Sequence, residues 1–325
     1  MKNRIKQITL ICFVMNGLIS CSQNKNGKTN KIKSYSEVSY NAEKQNGVIE
    51  KTKKSEEKKV YHYNEKEQLV KYELHFNHHG EQMVTSELYS YDKKENLVQT
   101  KKMNGTNTNT YNNKGLLIES IEQYTTGHFK SRGTYKYDKM GNTTEYNSFN
   151  KDGNVENTVL TTYNEKGNKT ELLFYDASKK LSNKYAYKYN NKQNKIEYLS
   201  FNSKNELESK NTYKYDNKGN EIESLSYNYN NELKNKYTYK YDNKGNEIEE
   251  IYYSLNDDGT MVKEEIITHL YNTKGDLIKY YKQEEYGESN KTYNYIYDEK
   301  NNWIKLTTSI NNALFYITER EYYYY

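Results

Sequence analysis

The sequence predicts an all-β protein, built as about ten tandem antiparallel hairpin units of ~26 residues that join into an extended, twisted β-sheet or β-solenoid array. Three observations predict it. A tyrosine followed by Asp or Asn recurs at Tyr63, Tyr91, Tyr111, Tyr137, Tyr163, Tyr189, Tyr215, Tyr241, Tyr271 and Tyr297, with an unbroken run of 26-residue spacings from Tyr111 to Tyr241. Strict two-residue alternation follows in segments such as Leu233, Asn235, Tyr237, Tyr239 and Tyr241, with Lys234, Lys236, Thr238 and Lys240 between them. That is the period of a strand with one aromatic and one cationic face. Helical periodicity is absent, and the chain has no proline.

Taken from the N-terminus, Lys2, Arg4 and Lys6 precede a short apolar stretch, Ile8 to Ile19, too short to span a bilayer as a helix. Leu18-Ile19-Ser20-Cys21 resembles the bacterial lipobox. The resemblance implies a signal peptide over 1–20, cleavage before Cys21, and lipidation of Cys21, with the membrane as a partner through that anchor. Residues 21–59, rich in Lys, Asn, Ser and Glu, are expected to be a flexible tether, and 60–325 the repeat domain. Cys12 lies inside the signal, so the mature chain keeps one cysteine and can form neither an internal disulfide nor a Cys-based metal site.

Each unit opens on a turn such as Tyr215-Asp216-Asn217-Lys218-Gly219-Asn220. Asp216 can accept bonds from its own turn backbone, and Gly219 supplies a positive φ, as a type I turn closed by a glycine bulge requires. Gly115, Gly141, Gly167, Gly245 and Gly275 are the corresponding turn glycines. The strand after the turn carries apolar residues at Ile222, Leu225 and Tyr227. That spacing leaves open a bulge that shifts register or a strand with an apolar residue on each face. Glu221 and Glu223 are candidate cross-strand partners for the lysines. Tyr137, Tyr163, Tyr189, Tyr215, Tyr241, Tyr271 and Tyr297 are expected to be the repeat core. They stand in for the scarce aliphatics in a chain with 39 tyrosines. The lone tryptophan, Trp303, enters at the last unit, just before a terminal strand over 317–325 that is expected to act as a cap.

Units such as Tyr213-Lys214-Tyr215-Asp216-Asn217-Lys218-Gly219-Asn220 resemble the YD repeat of the RHS/YD superfamily, over roughly 60–325. The resemblance implies long antiparallel sheets, which in that family can spiral into a hollow shell around a cargo polypeptide or serve as cell-surface or carbohydrate-binding repeats. Where the family carries Arg after the turn glycine, this chain has Leu116, Asn142, Asn168, Asn220 and Asn246. Its lack of proline also rules out the proline-containing motif that precedes a toxin tip.

A formal net charge of +5 with no basic tract makes nucleic acid an unsuitable partner. His75, His78 and His79 cluster about one turn and read as a polar hairpin tip; no metal or other cofactor is expected. Carboxylates recur in every unit, whereas a catalytic pair would break the repeat, so no catalytic residue and no enzyme is expected. The expectation is a lipid-anchored bacterial envelope protein, outer-membrane associated, acting as a non-catalytic binding or scaffold module in adhesion or glycan binding. A protein-partner module, such as an immunity or assembly factor using a sheet edge or face, is the alternative. Tyr237, Tyr239 and Trp303 are the candidate ligand platform.

Overall fold

In a computed structural model, the described residues 31–256 and 258–325 form antiparallel strands and no helix. The first strands are β1 (Ile32–Gln45), β2 (Val48–Tyr63), β3 (Leu69–His78), β4 (Glu81–Tyr91), β5 (Leu97–Lys102) and β6 (Gly105–Tyr111). Next come β7 (Leu117–Tyr124), β8 (Phe129–Tyr137), β9 (Thr143–Phe149), β10 (Val155–Tyr163), β11 (Lys169–Tyr175) and β12 (Leu181–Tyr189). β13 (Lys195–Phe201), β14 (Leu207–Tyr215), β15 (Glu221–Asn228), β16 (Leu233–Tyr241) and β17 (Glu247–Leu255) follow. The chain ends with β18 (Met261–Tyr271), β19 (Leu277–Glu284), β20 (Gly287–Tyr297), β21 (Trp303–Ile310) and β22 (Leu314–Tyr324).

Each strand pairs with the next, and β22 pairs with β1 from Ile32↔Tyr324 to Ala42↔Phe315. This overturns the extended open sheet or solenoid array: the 22 strands close into one up-and-down barrel. Closure also removes the free sheet edge by which a partner could add a strand. The physical reason is accumulated curvature. Beside every Tyr-Asp/Asn turn the register slips by one residue, as where Lys214 faces Glu223 but Tyr215 faces Glu221, with Ile222 bulged. The same slip occurs at all ten turns. Further slips lie at the opposite turns, as between Ser200 and Phe201 and between Ser226 and Tyr227. Each bulge bends its strand and adds to the right-handed twist, which curves the sheet toward closure. The bulge also settles the Ile222, Leu225, Tyr227 spacing as a register shift.

The expected tether is corrected as well. Residues 32–59 are not a linker but β1 and most of β2, the hairpin that receives β22. The proposed signal and Cys21 lie outside the described residues.

At a strand spacing of about 4.8 Å and a tilt of about 40°, a barrel of this strand number has a backbone radius of roughly 20 Å. Among the described residues no connection between strands exceeds five residues, so none is long enough to fold inward as a plug. Contacts between strands join sheet neighbours, apart from β2 with β22 across β1. Little is therefore fully buried. The apolar cluster is Ala42, Phe315 and Ile317, with Tyr40 and Ile49 against it, and it sits at the closing seam.

Candidate functional site: a tyrosine-lined lumen

The turns set the wall's geometry. Gly219 has φ +93°, its N–H donates to Asp216 O, and Asp216 N–H donates to Asn220 O. Asp216 Oδ1 accepts from Lys218 N and Asn220 N, and Asn220 Nδ2 donates to Oδ2, which together hold this exposed carboxyl below its usual pKa. Gly115, Gly141, Gly167, Gly245 and Gly275 hold the same place with φ between +77° and +92°. Gln193 and Asn301 hold it without being glycine.

The tyrosines of these turns reach backwards. Tyr215 Oη donates to Lys195 O at 2.6 Å, Tyr163 Oη to Thr143 O at 2.8 Å, and Tyr241 Oη to Glu221 O at 2.9 Å. Each acceptor faces the preceding unit's tyrosine across the turn and adjoins its bulge, where ladder bonding is interrupted. Tyr137 bonds Leu117 O in the same way, while Tyr297 bonds the Asp276 carboxylate. Tyr189 and Tyr271 occupy the same position, each facing the first residue of the next strand. Lysines stitch one turn to the next: Lys192 to Asn217 O, Lys218 to Asn243 O and Lys244 to Thr273 O, at 3.0–3.4 Å.

Pairing assigns each residue to one of two faces. Tyr213, Tyr237, Tyr239, Tyr252, Tyr185, Tyr187 and Tyr198 share one face; Lys214, Glu223, Lys236 and Lys240 share the other. At the seam the buried Ala42, Phe315 and Ile317 lie on the opposite face, whereas along the repeat wall the tyrosine face is the crowded one. Ser200 and Ser224 on it are buried, and a Cβ on Gly133 would lie 2.9 Å from Tyr146. Burial raises the hydroxyl pKa of Tyr187, Tyr198 and Tyr239, whereas the Lys214 and Lys240 side chains opposite are 68% exposed. On a closed cylinder inward side chains converge and outward ones splay, so the tyrosines line the lumen.

The outer face is a repeating charge lattice. Glu223 takes Lys214 at 2.6 Å and Lys236 at 3.0 Å, which lowers its pKa; Glu197 takes Lys188, and Glu249 takes Lys240. Lys210 stands over Tyr227 and Lys184 over Phe201, both cross-strand partners. Glu221 does not join this lattice. The bulge turns it to the Tyr215 side, where burial raises its pKa. A lipid-facing lysine costs about 2–4 kcal/mol at the bilayer midplane, so this face is not one a barrel presents to hydrocarbon.

The candidate platform residues divide. Tyr237 and Tyr239 lie together on the inner wall, nearly parallel (8°) with centroids 6.4 Å apart, and Tyr252 is 4.9 Å from Tyr237. Trp303 is remote, on β21, with the Arg320 guanidinium 3.6 Å above its ring. Tyr198 and Tyr252 were missed because the bulge decides which face a residue after a turn joins. Tyr185 and Tyr187 were legible in their alternating row. Among the described residues no group of His, Cys, Asp or Glu is arranged to hold a metal ion.

No protein-family model matches the sequence, and no curated protein does. Among solved structures, the chain is similar to TcdB2-TccC3-TEV at 12% identity and TM-score 0.35, over 81% of this chain and 19% of that one. It therefore spans about a fifth of that chain's length. It is similar to a porin-like protein from Bacteroides uniformis at 10% identity and TM-score 0.27, over 90% of this chain and 98% of that one. A porin-like protein from Bacteroides vulgatus gives 14% identity and TM-score 0.23, over 77% and 97%. At TM-scores below 0.5 none of these likenesses carries an argument about fold or function.

Proposed function

We propose that this protein is a lipid-anchored component of the bacterial envelope that binds glycans, without catalysis, on the inner wall of its barrel. One observation carries the proposal: rows of tyrosines, Tyr185, Tyr187, Tyr237 and Tyr239 among them, face a lumen that no described segment fills. Aromatic faces stack on the C–H faces of sugar rings while their hydroxyls remain free to hydrogen-bond. The outer lattice of Lys and Glu suits a barrel standing in water, and Cys21 would hold it at the membrane. The test is a glycan array followed by calorimetry on the full mature chain. The double variant Tyr237→Leu, Tyr239→Leu should lose binding while keeping a β-type circular dichroism spectrum; binding unchanged in that variant would refute the site. Cys21→Ala should move the protein out of the membrane fraction, and continued anchoring would refute lipidation.

A further inference from the structure

The outer face changes character around the barrel. In the repeat wall the residue before the turn tyrosine is Lys136, Lys188, Lys214 or Lys240, each paired with a facing glutamate. Thr162 takes that place before Tyr163. From β18 to β22 the same place holds Leu270, Ile296 and Tyr323. Tyr324 belongs to this series because it bonds the Asp298 carboxylate as Tyr297 bonds that of Asp276. Leu270, Ile296 and Tyr323 are 54%, 50% and 52% exposed. Opposite Leu270 and Ile296 stand Lys279 and Lys305, where the wall has glutamate. An ion pair has thus given way to an apolar residue beside a lysine. Ile296 and Ile304 continue into an outer groove with Val38 and Tyr40 of β1. The carboxylates at that groove are engaged, Glu319 by Lys51 and Glu321 by the Tyr323 hydroxyl.

We propose that this patch, on the outer rim of β18–β22 and β1, seats the barrel on a membrane surface, an inference that rests on the lipidation of Cys21 proposed above. The place where the chain leaves the barrel selects a bilayer as the occupant. Lys31, whose carbonyl accepts from Tyr325 N–H, adjoins the strand pair in which Tyr323 faces Ser34. It stands ten positions after Cys21, at most about 35 Å of extended chain. The barrel is roughly 40 Å across. A lipid on Cys21 therefore keeps the opposite wall off the bilayer and brings the patch within reach of it. The chemistry of the patch agrees. Aliphatic side chains enter the boundary between headgroups and acyl chains, a tyrosine ring suits the interface, and lysine stems lie along apolar surface while their ammonium groups reach the phosphates. The wall β8–β16, with Lys136, Lys188, Lys214 and Lys240 already paired, is left facing water.

The test uses the full mature chain with Cys21 unmodified, so that its readout does not depend on the anchor. The probe is a sucrose-loaded vesicle of phosphatidylethanolamine and phosphatidylglycerol, and sedimentation gives the bound fraction. Weak, reversible binding is expected. The double variant Leu270→Thr, Ile296→Thr should lower the partition coefficient about tenfold while keeping a β-type circular dichroism spectrum, because threonine already holds this place at Thr162. Ile222→Thr, which removes an exposed aliphatic from the repeat wall, should leave partitioning unchanged. A chain that does not bind vesicles, a double variant that binds as well as its parent, or an equal loss in Ile222→Thr would each overturn the seat. Failure of the anchor alone would show as a mature chain purified from cells without the added mass of the lipid, with the vesicle result unaltered.

Discussion

Along the repeat wall from β12 to β17 the same kinds of contact recur: a Glu paired with lysine, a lysine over an aromatic ring, and a tyrosine hydroxyl on the carbonyl before a bulge. At the seam of β22, β1 and β2 the contacts occur once. Ala42, Phe315 and Ile317 form a small apolar cluster there, and Ile317 is only 1% exposed. Arg320 pairs with Glu37 at 2.9 Å and covers Trp303 and Tyr35. Tyr35 stacks on Tyr61 at 4.6 Å, and Tyr325 N–H donates to Lys31 O. Identical units can propagate a wall, but nothing in a unit says where it stops. The residues that stop it are unlike the rest and are drawn from the two ends of the described chain.

The contrast predicts an order of effects. Ile317→Ala should be the most damaging change, at about 3 kcal/mol in urea unfolding, because it opens a cavity in the seam cluster. Leu225→Ala, half-buried in the wall, should cost about 1 kcal/mol. Equal losses would mean that the seam is not special. Arg320→Gln should cost about 2 kcal/mol by stranding Glu37. It should also change the emission of Trp303, the single tryptophan, and an unaltered spectrum would contradict the stacking.

Within the wall, Gly219→Val should cost about 1–2 kcal/mol, since its φ of +93° is poorly open to a β-branched side chain. Gln193→Gly, at the corresponding place with φ +70°, should be neutral or slightly stabilising, and a large loss there would break the equivalence of the turns. Tyr215→Phe removes one hydroxyl-to-carbonyl bond and should cost about 1 kcal/mol.

The smallest expected effect is on pH dependence. Hydrogen bonds from Lys214 and Lys236 lower the pKa of Glu223 from 4.5, so its contribution is present above that value and is lost as pH falls through the folded pKa. Glu223→Gln should flatten that acid limb. Glu221 has the opposite sign. Burial raises its pKa, so folding is opposed once it ionises, and Glu221→Gln should gain stability at neutral pH. If both variants shift stability at neutral pH in the same direction, the assignment of the two residues to opposite faces is wrong.

By itself the sequence determined what is local. The Tyr-Asp/Asn period, the Gly219 class of turn and the alternation through Leu233, Tyr237 and Tyr239 follow from backbone sterics and a two-residue pleat, which act within a few residues of one another. They made the strands, the turns and part of the aromatic row legible. Tertiary structure alone decided the rest. Whether Tyr198 and Tyr252 join the row of Tyr185 and Tyr237 depends on a one-residue bulge that inverts the face of everything after it. Closure depends on many small bends accumulating along the sheet, and on Ser39 and Thr318 meeting at 3.0 Å across 279 residues of sequence. Only then is one face inside, and only then does an alternating pattern become a tyrosine-lined lumen with the Lys–Glu lattice of the wall on the outside.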